Sequence, residues 1–154
     1  MKAVLQRVSR ASVAVREKEV GSINAGFVVF LGIAREDTAG DSDWMLDQIV
    51  KLRVFADDQQ KMNRSISDVH GGILLISQFT LFADTAKGRR PSFFGAASPE
   101  TARPVFDAFV QKAKAVGVPV ATGAFGEHME VSLTNDGPVT ILLDSRAVQK
   151  KHHI

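Results

Sequence analysis

The chain has 154 residues, enough for one domain with a real hydrophobic core. It is 45% hydrophobic and 23% charged, with no cysteine and a net charge of +2 from 19 basic and 17 acidic residues. Disulfides and thiolate metal sites are therefore excluded, no apolar run reaches the roughly 18 residues of a membrane span, and charge has to be read from local clusters rather than from the total.

The N-terminal stretch Met1–Arg7 has no long apolar segment and no small-residue cleavage site, so no signal peptide is expected. With no cysteines, a cytosolic home is the simpler expectation. Ala3–Val8 reads as a strand interrupted by Gln6-Arg7, and the alternation from Ala11 to Val15 as a second. After a polar turn over Arg16–Glu19, a short third strand is expected at Val20–Ile23. Phe27–Leu31, between Gly26 and Gly32, is a fully apolar fourth. Four strands in about 33 residues argue for an antiparallel or mixed sheet. A first helix follows, capped by Asp41 or Ser42, with Trp44, Met45, Ile49 and Leu52 on one stripe. Val54-Phe55 begins another short strand, Asp57–Gln60 is a turn, and Met62–His70 reads as irregular.

Gly71-Gly72 breaks the chain before Ile73–Ile76, an apolar run too short for a helix that reads as a buried strand. The second helix has an unambiguous start at Ser98-Pro99-Glu100, with a capping serine, proline at the first helical position and an acid in the first turn. Ala102, Val105, Phe106, Phe109, Val110, Ala113 and Val116 share one face, Pro104 can bend the first turns, and Gly117 ends the helix. Val118–Val120 is extended, and Gly123–Gly126 is a turn around Phe125. Met129, Val131 and Leu133 alternate in a strand. Asn135-Asp136-Gly137-Pro138 reads as a turn to a last strand, Val139–Leu143, which makes the pair a hairpin. The basic tail after Asp144 is expected to fray. Gly26–Asp37 and Gly72–Asp84 echo each other as glycine, apolar strand and polar exit. The expected fold is one α/β domain over 1–154, a mostly antiparallel or mixed sheet covered by two main helices.

The chemistry concentrates where the buried strand ends. Ile76 runs straight into Ser77, Gln78 and Thr80, alternating with Phe79 and Leu81, and then into the basic turn Lys87-Gly88-Arg89-Arg90-Pro91. Polar groups at the mouth of a buried strand followed by positive charge suit an anionic ligand, although Ser77 and Thr80 can equally satisfy backbone groups at a strand end. Nucleotide-binding glycine loops and the G-x-S-x-G elbow are absent, and none of the four histidines has metal-ligand spacing with a carboxylate. What remains is hydroxyls, amides and backbone. Ser77, Gln78 and Thr80 can hydrogen-bond an ester, and free amides at the strand end can hold an oxyanion. Phe125 can stack on a ring or anchor its own loop.

Ser77-Gln78-Phe79-Thr80-Leu81, Ala83-Asp84, Lys87–Phe93 and Asn135-Asp136-Gly137-Pro138-Val139-Thr140, together with the opening Met1–Val13, resemble the D-aminoacyl-tRNA deacylase family over nearly the whole chain. Glu127-His128 departs from the family pattern, where a small residue usually comes first. The resemblance implies hydrolysis of the ester joining D-amino acids, or glycine, to the 3′-terminal adenosine of tRNA. It also implies a cytoplasmic homodimer without a cofactor or metal, whose site lies at the dimer interface. There Gly137-Pro138, in the cis form, reaches from one subunit into the pocket of the other and excludes L side chains, with Arg7 bracing it. Thr80 is either a nucleophile or, preferably, a positioning hydroxyl beside Ser77, Gln78 and Phe79. Phe125 and Met129 border the adenosine, and Lys87, Arg89 and Arg90 meet tRNA phosphate. Two rivals stay open, a non-catalytic RNA-binding module and a general threonine-dependent esterase.

Overall fold

The computed structural model describes residues 1–149, with side chains through residue 147. Its axis is β1, Lys2–Val15, which pairs with three other strands. The N-terminal half of β1 pairs antiparallel with β3, Gly26–Gly32, and its C-terminal half with β2, Lys18–Ile23. Along its other side runs β8, Glu130–Asp144, also antiparallel. Strand β6, Gly72–Ser77, lies parallel to β3, and β7, Val120–Thr122, lies parallel to β6. The order is β2-β1-β3-β6-β7, with β8 on β1. Helix α1, Ala39–Lys51, connects β3 towards β6, and α2, Pro99–Ala115, connects β6 to β7. A short hairpin pairs β4, Phe55–Ala56, with β5, Met62–Arg64. This is the expected mixed α/β sheet with two main helices, plus a five-residue helix α3 at Ser145–Gln149.

The apolar runs of β3 and β6 are continuous because both faces are buried. On one face Phe27, Val29, Leu31, Ile73 and Leu75 pack against Met45 and Ile49 of α1 and Phe106 and Phe109 of α2. On the other, Val28, Leu74 and Ile76 pack against Val8, Ala11 and Val13 of β1, with Met129, Val131 and Leu133 of the β8 region. The sheet thus folds over itself. The bend is written in β1, where Ala3 and Leu5 face the helices while Ala11 and Val13, at the same parity, face the second core. A register shift against β8 between Val8 and Arg10 accounts for the change of face, since one extra residue inverts the alternation of a strand.

Several local expectations are corrected. The first two strands are one, because the Gln6-Arg7 interruption and the lost alternation mark a bulge and not a turn. The turn after β1 is confined to Arg16-Glu17, both at positive φ, so β2 starts at Lys18. Thr38 and not Asp41 or Ser42 caps α1; Asp41 is its capping-box partner, three residues on. Met62–Arg64, expected to be irregular, forms β5 by pairing with β4, which itself begins at Phe55. The hairpin around Asn135–Pro138 does not form. Both halves of β8 run antiparallel to β1, with Asn135 opposite Val8 and Thr140 opposite Gln6, so five steps on β8 match two on β1. The turn-forming residues make an outward excursion, closed because the Asn135 side chain accepts from the Val139 amide at 3.0 Å. Residues expected to fray just after Asp144 form α3 instead, with Ser145 buried; Lys150–His153 lie outside the described residues.

The reason for that order at Ser145 is a buried charge cluster. The Met1 α-ammonium is fully buried, 2.6 Å from Asp37 Oδ1, and donates to Ser145 Oγ at 2.8 Å. Asp37 also accepts from the Ala34 amide at 2.7 Å. Beside it, burial pushes the Asp41 carboxyl up, but hydrogen bonds from Ser145 and Thr38 and the nearby α-ammonium outweigh this and lower its pKa to about 2. Removing one member of a buried ion pair leaves the other uncompensated. Asp37→Asn is therefore expected to destabilise the fold by about 3 kcal/mol, read as a lowered urea midpoint at unchanged m-value.

Candidate active site

Strand β6 ends at Ser77, and the chain then tightens into a 3-10 turn, Phe79–Phe82, rather than continuing extended. The turn is fixed on its neighbour. The Gln78 amide donates to Leu31 O at 2.8 Å, extending the β3–β6 pairing by one step. Gly32 at the end of β3 leaves the turn its room. A Cβ there would lie 2.9 Å from the Phe82 ring, 3.0 Å from Gln78 O and 3.2 Å from Leu81 Cβ. At the start of the turn Gln78 Nε2 donates to Thr80 Oγ1 at 2.5 Å. The Thr80 hydroxyl thus accepts from Gln78 and keeps its own proton to donate. Among the described residues no histidine or carboxylate hydrogen-bonds it. The first amides of such a turn have no acceptor within it, so the backbone of Phe79 and Thr80 offers donors to an incoming oxygen.

Ser77, Gln78 and Phe79 form one wall of a cavity of about 630 Å³. Phe125 and Met129 line it as well, with Gly126, Glu127 and His128. Phe125 is tied to α2 by its contacts with Phe106, at 5.8 Å between ring centroids, and with Arg103. It anchors its loop and lines the cavity at once. The residues that sequence reasoning missed are the remaining walls. Ile33 and Arg35 follow β3, and Phe93, Ala96, Ala97, Ser98, Pro99 and Ala102 lead into and form the first turn of α2. The segments join where Ala34 bridges Ala96 and the Ala97 amide donates to Ile33 O at 2.9 Å. The signal was present in Phe93–Ala97, two aromatics and three small residues directly before a capped helix, which is a way to leave space at a helix start.

Other candidates lie apart. Thr80 is exposed and beside the cavity, not in its lining. Lys87, Arg89 and Arg90 are exposed at the tip of a loop closed by the Asp84–Ser92 bridge, without an ion pair among the described residues. Gly137-Pro138 is exposed at the crest of the β8 excursion, and its peptide bond is cis. Arg7 lies beneath it. Its Nε donates to Asp136 O at 3.0 Å and its Nη1 to Val54 O at 2.5 Å, and it stands 3.7 Å from the Asp136 carboxylate. Arg7 is opposite Phe27, five residues of β3 from Gly32, and Gly137-Pro138 lies beyond β1 on the far side. Followed along the sheet, the two are separated by five residues of strand, about 17 Å at roughly 3.3 Å per residue, and by three strand spacings. Among the described residues no hydrogen bond or ion pair joins the excursion to the Gln78–Thr80 turn.

Known proteins show which family the chain belongs to. A family model described as D-Tyr-tRNA(Tyr) deacylase matches residues 4–144. A D-aminoacyl-tRNA deacylase of Syntrophobacter fumaroxidans is 55% identical over 148 residues, 96% of this chain and 99% of the relative. One of Clostridioides difficile is 54% identical over 145 residues, 94% and 97% of the two chains. Among solved structures, one described as c-Myc DNA Unwinding Element Binding Protein superposes with a TM-score of 0.89 at 41% identity, covering 94% of this chain and 98% of the other. Another, of a probable eukaryotic D-amino acid tRNA deacylase, gives 0.78 at 16% identity over 92% and 97%, a likeness of fold alone. A mixed α/β domain with donors gathered at a strand-end turn beside a cavity, and relatives of this kind, make the chain a hydrolase of ester bonds. It belongs to the D-aminoacyl-tRNA deacylase family.

The turn depends on the bare α-carbon of Gly32. Gly32→Ala is expected to push the turn off β3 and lower kcat for D-aminoacyl-tRNA by about a hundredfold, as a displacement of about 1 Å at a site can do, with the far-UV circular dichroism retained. A variant with wild-type kcat would show that the turn has slack that the packing does not suggest.

Proposed function

We propose that the cavity takes the 3′-terminal adenosine of tRNA and that the Gln78–Thr80 turn holds the ester of a D-amino acid or glycine for hydrolysis. The observation that carries this is the turn itself. An amide, a hydroxyl with a free proton and uncommitted backbone donors converge at one strand end, beside a cavity bordered by Phe125 and Met129. Gln78 and the turn amides face the ester oxygen as negative charge develops on it. Thr80 positions rather than attacks. A serine or threonine nucleophile needs an adjacent base, and Thr80 Oγ1 has only the Gln78 amide, a donor. The ester is already activated, and the ribose 2′-hydroxyl beside it can assist its departure.

Chirality is read by exclusion. A rigid backbone edge beside the α-carbon clashes with an L side chain, leaves a D side chain pointing to solvent, and finds nothing on glycine to reject. Gly137-Pro138 is the edge that the resemblance assigns, and Arg7 and Asn135 hold its excursion in shape. Because the excursion and the turn are far apart in one chain, the edge can serve only the pocket of a second copy, so the reading requires a homodimer. Exposed Leu142 on β8, 76% accessible, and exposed Phe79, 55%, supply apolar surface for such a contact. Lys87, Arg89 and Arg90 meet phosphate further along the tRNA.

Thr80→Ala tests the assignment of roles. A positioning hydroxyl predicts a loss of about tenfold in single-turnover deacylation, the value of one hydrogen bond to the reacting ester, and no acyl-enzyme after acid quench of either protein. Complete loss together with a trapped wild-type acyl-enzyme, and turnover of small esters without tRNA, would instead make the chain a threonine esterase.

A further inference from the structure

Phe94 takes no part in the proposed ester site. It is 74% exposed, the aromatic with the most open surface among the exposed large hydrophobics. The Arg35 guanidinium lies over its ring, 4.2 Å from the centroid. Arg35 brings the pair to the edge of the cavity. Arg35 is part of the cavity wall, as is Phe93, which meets Phe79 edge-on at 5.0 Å. It is also fixed there. The Arg35 amide donates to Gly95 O at 3.4 Å, its Nε to Ala96 O at 3.4 Å, and Ala34 bridges Ala96. No carboxylate pairs with Arg35 among the described residues. The guanidinium cannot shed its charge by deprotonation, so it stands beside the cavity as an unmatched cation.

An exposed aromatic face next to an unpaired arginine is what single-stranded nucleic acid uses, with bases stacking on the ring and the backbone meeting the charge. If the terminal adenosine occupies the cavity, its 5′ phosphodiester must leave through the mouth and carry the preceding nucleotide with it. We propose that Phe94 and Arg35 form a second nucleotide subsite, which stacks the base on the 5′ side of the terminal adenosine on Phe94 and places the linking phosphate at Arg35. This rests on the reading of the cavity as the adenosine site. Because every base has a π-face, the subsite reads single-strandedness and not sequence. It gives the enzyme a hold on the tRNA end that a free aminoacyl nucleoside lacks.

The test compares D-aminoacyl-tRNA with the same D-amino acid esterified to adenosine alone, which keeps the ester and lacks the preceding nucleotide. For Phe94→Ala the ratio of kcat/KM on tRNA to kcat/KM on the nucleoside ester is expected to fall about tenfold, through KM. Phe94→Trp restores the ratio, whereas Phe94→Leu, apolar but without a π-face, does not. Arg35→Ala lowers the slope of log affinity against log salt by about one phosphate contact. An unchanged ratio, equal losses on both substrates, rescue by leucine, or an altered oligomeric state of Phe94→Ala would each overturn the subsite. Binding of a short single-stranded RNA with a free 3′ end separates this from the function itself. If wild type hydrolyses neither ester yet Phe94→Ala weakens that RNA about tenfold, the subsite stands and the proposed reaction falls. If both proteins bind the RNA alike, the subsite falls whatever the activity.

Discussion

The site depends on the close approach of the Phe79–Phe82 turn to the end of β3. Gly32 has no room for a side chain there, with the Phe82 ring, Gln78 O and Leu81 Cβ all within 3.2 Å of where its Cβ would be. The Gln78 amide continues the β3–β6 ladder to Leu31 O, so the last hydrogen bond of the sheet is also what orients the first residue of the turn. Polar groups that would be costly inside a buried strand are thereby presented at its mouth. Two parallel strands buried on both faces form a stiff base, and the precision of the turn derives from them.

The same arrangement explains how the rest of the chain is used. Met1 is held by Asp37 and Ser145, and Asp37 in turn holds the Ala34 amide, so the segment that forms one cavity wall is tied to a buried ion pair. The 34–37 and 95–97 segments meet across the Ala34–Ala96 bridge, which places the start of α2 on the cavity. On the far side β8 departs from its ladder with β1 to expose Gly137-Pro138. Gly137 sits at φ +136°, and a Cβ there would meet Val139 and Arg7 at 2.8 and 3.2 Å. One chain therefore carries a cavity at one end of its sheet and an exposed backbone excursion at the other, which the proposed function joins by pairing two copies of the chain.

Much of the fold was legible in the sequence. The apolar runs 27–31 and 73–76, the capped start at Ser98-Pro99 and the stripe of α2 come from local rules, and the structure bears them out except at Val116, which caps the helix C-terminus and is exposed because the helix ends at Ala115. The echo between 26–37 and 72–84 corresponds to two neighbouring parallel strands, with Gly26 opposite Gly72 and Leu31 opposite Ser77. What was not legible depended on distant pairing. The bulge in β1 looks in sequence like a break between strands, and the Asn135–Pro138 excursion looks like a hairpin turn, because only the register with β1 distinguishes them. In the site, Ser77, Gln78, Phe79, Phe125 and Met129 do come together. Arg35, Ser98, Pro99 and Ala102 were missed because only the meeting of the 34–37 and 95–97 segments brings them to the cavity, and no local pattern announces that meeting.

Single-turnover deacylation of matched D-, L- and glycyl-tRNA by the wild-type protein decides whether the pocket works against a chiral edge. The D and glycyl esters are expected to be released and the L ester to survive, since a backbone edge can exclude a side chain only on one hand. Equal release of all three would contradict it, because a pocket without a chiral edge is that of a general esterase.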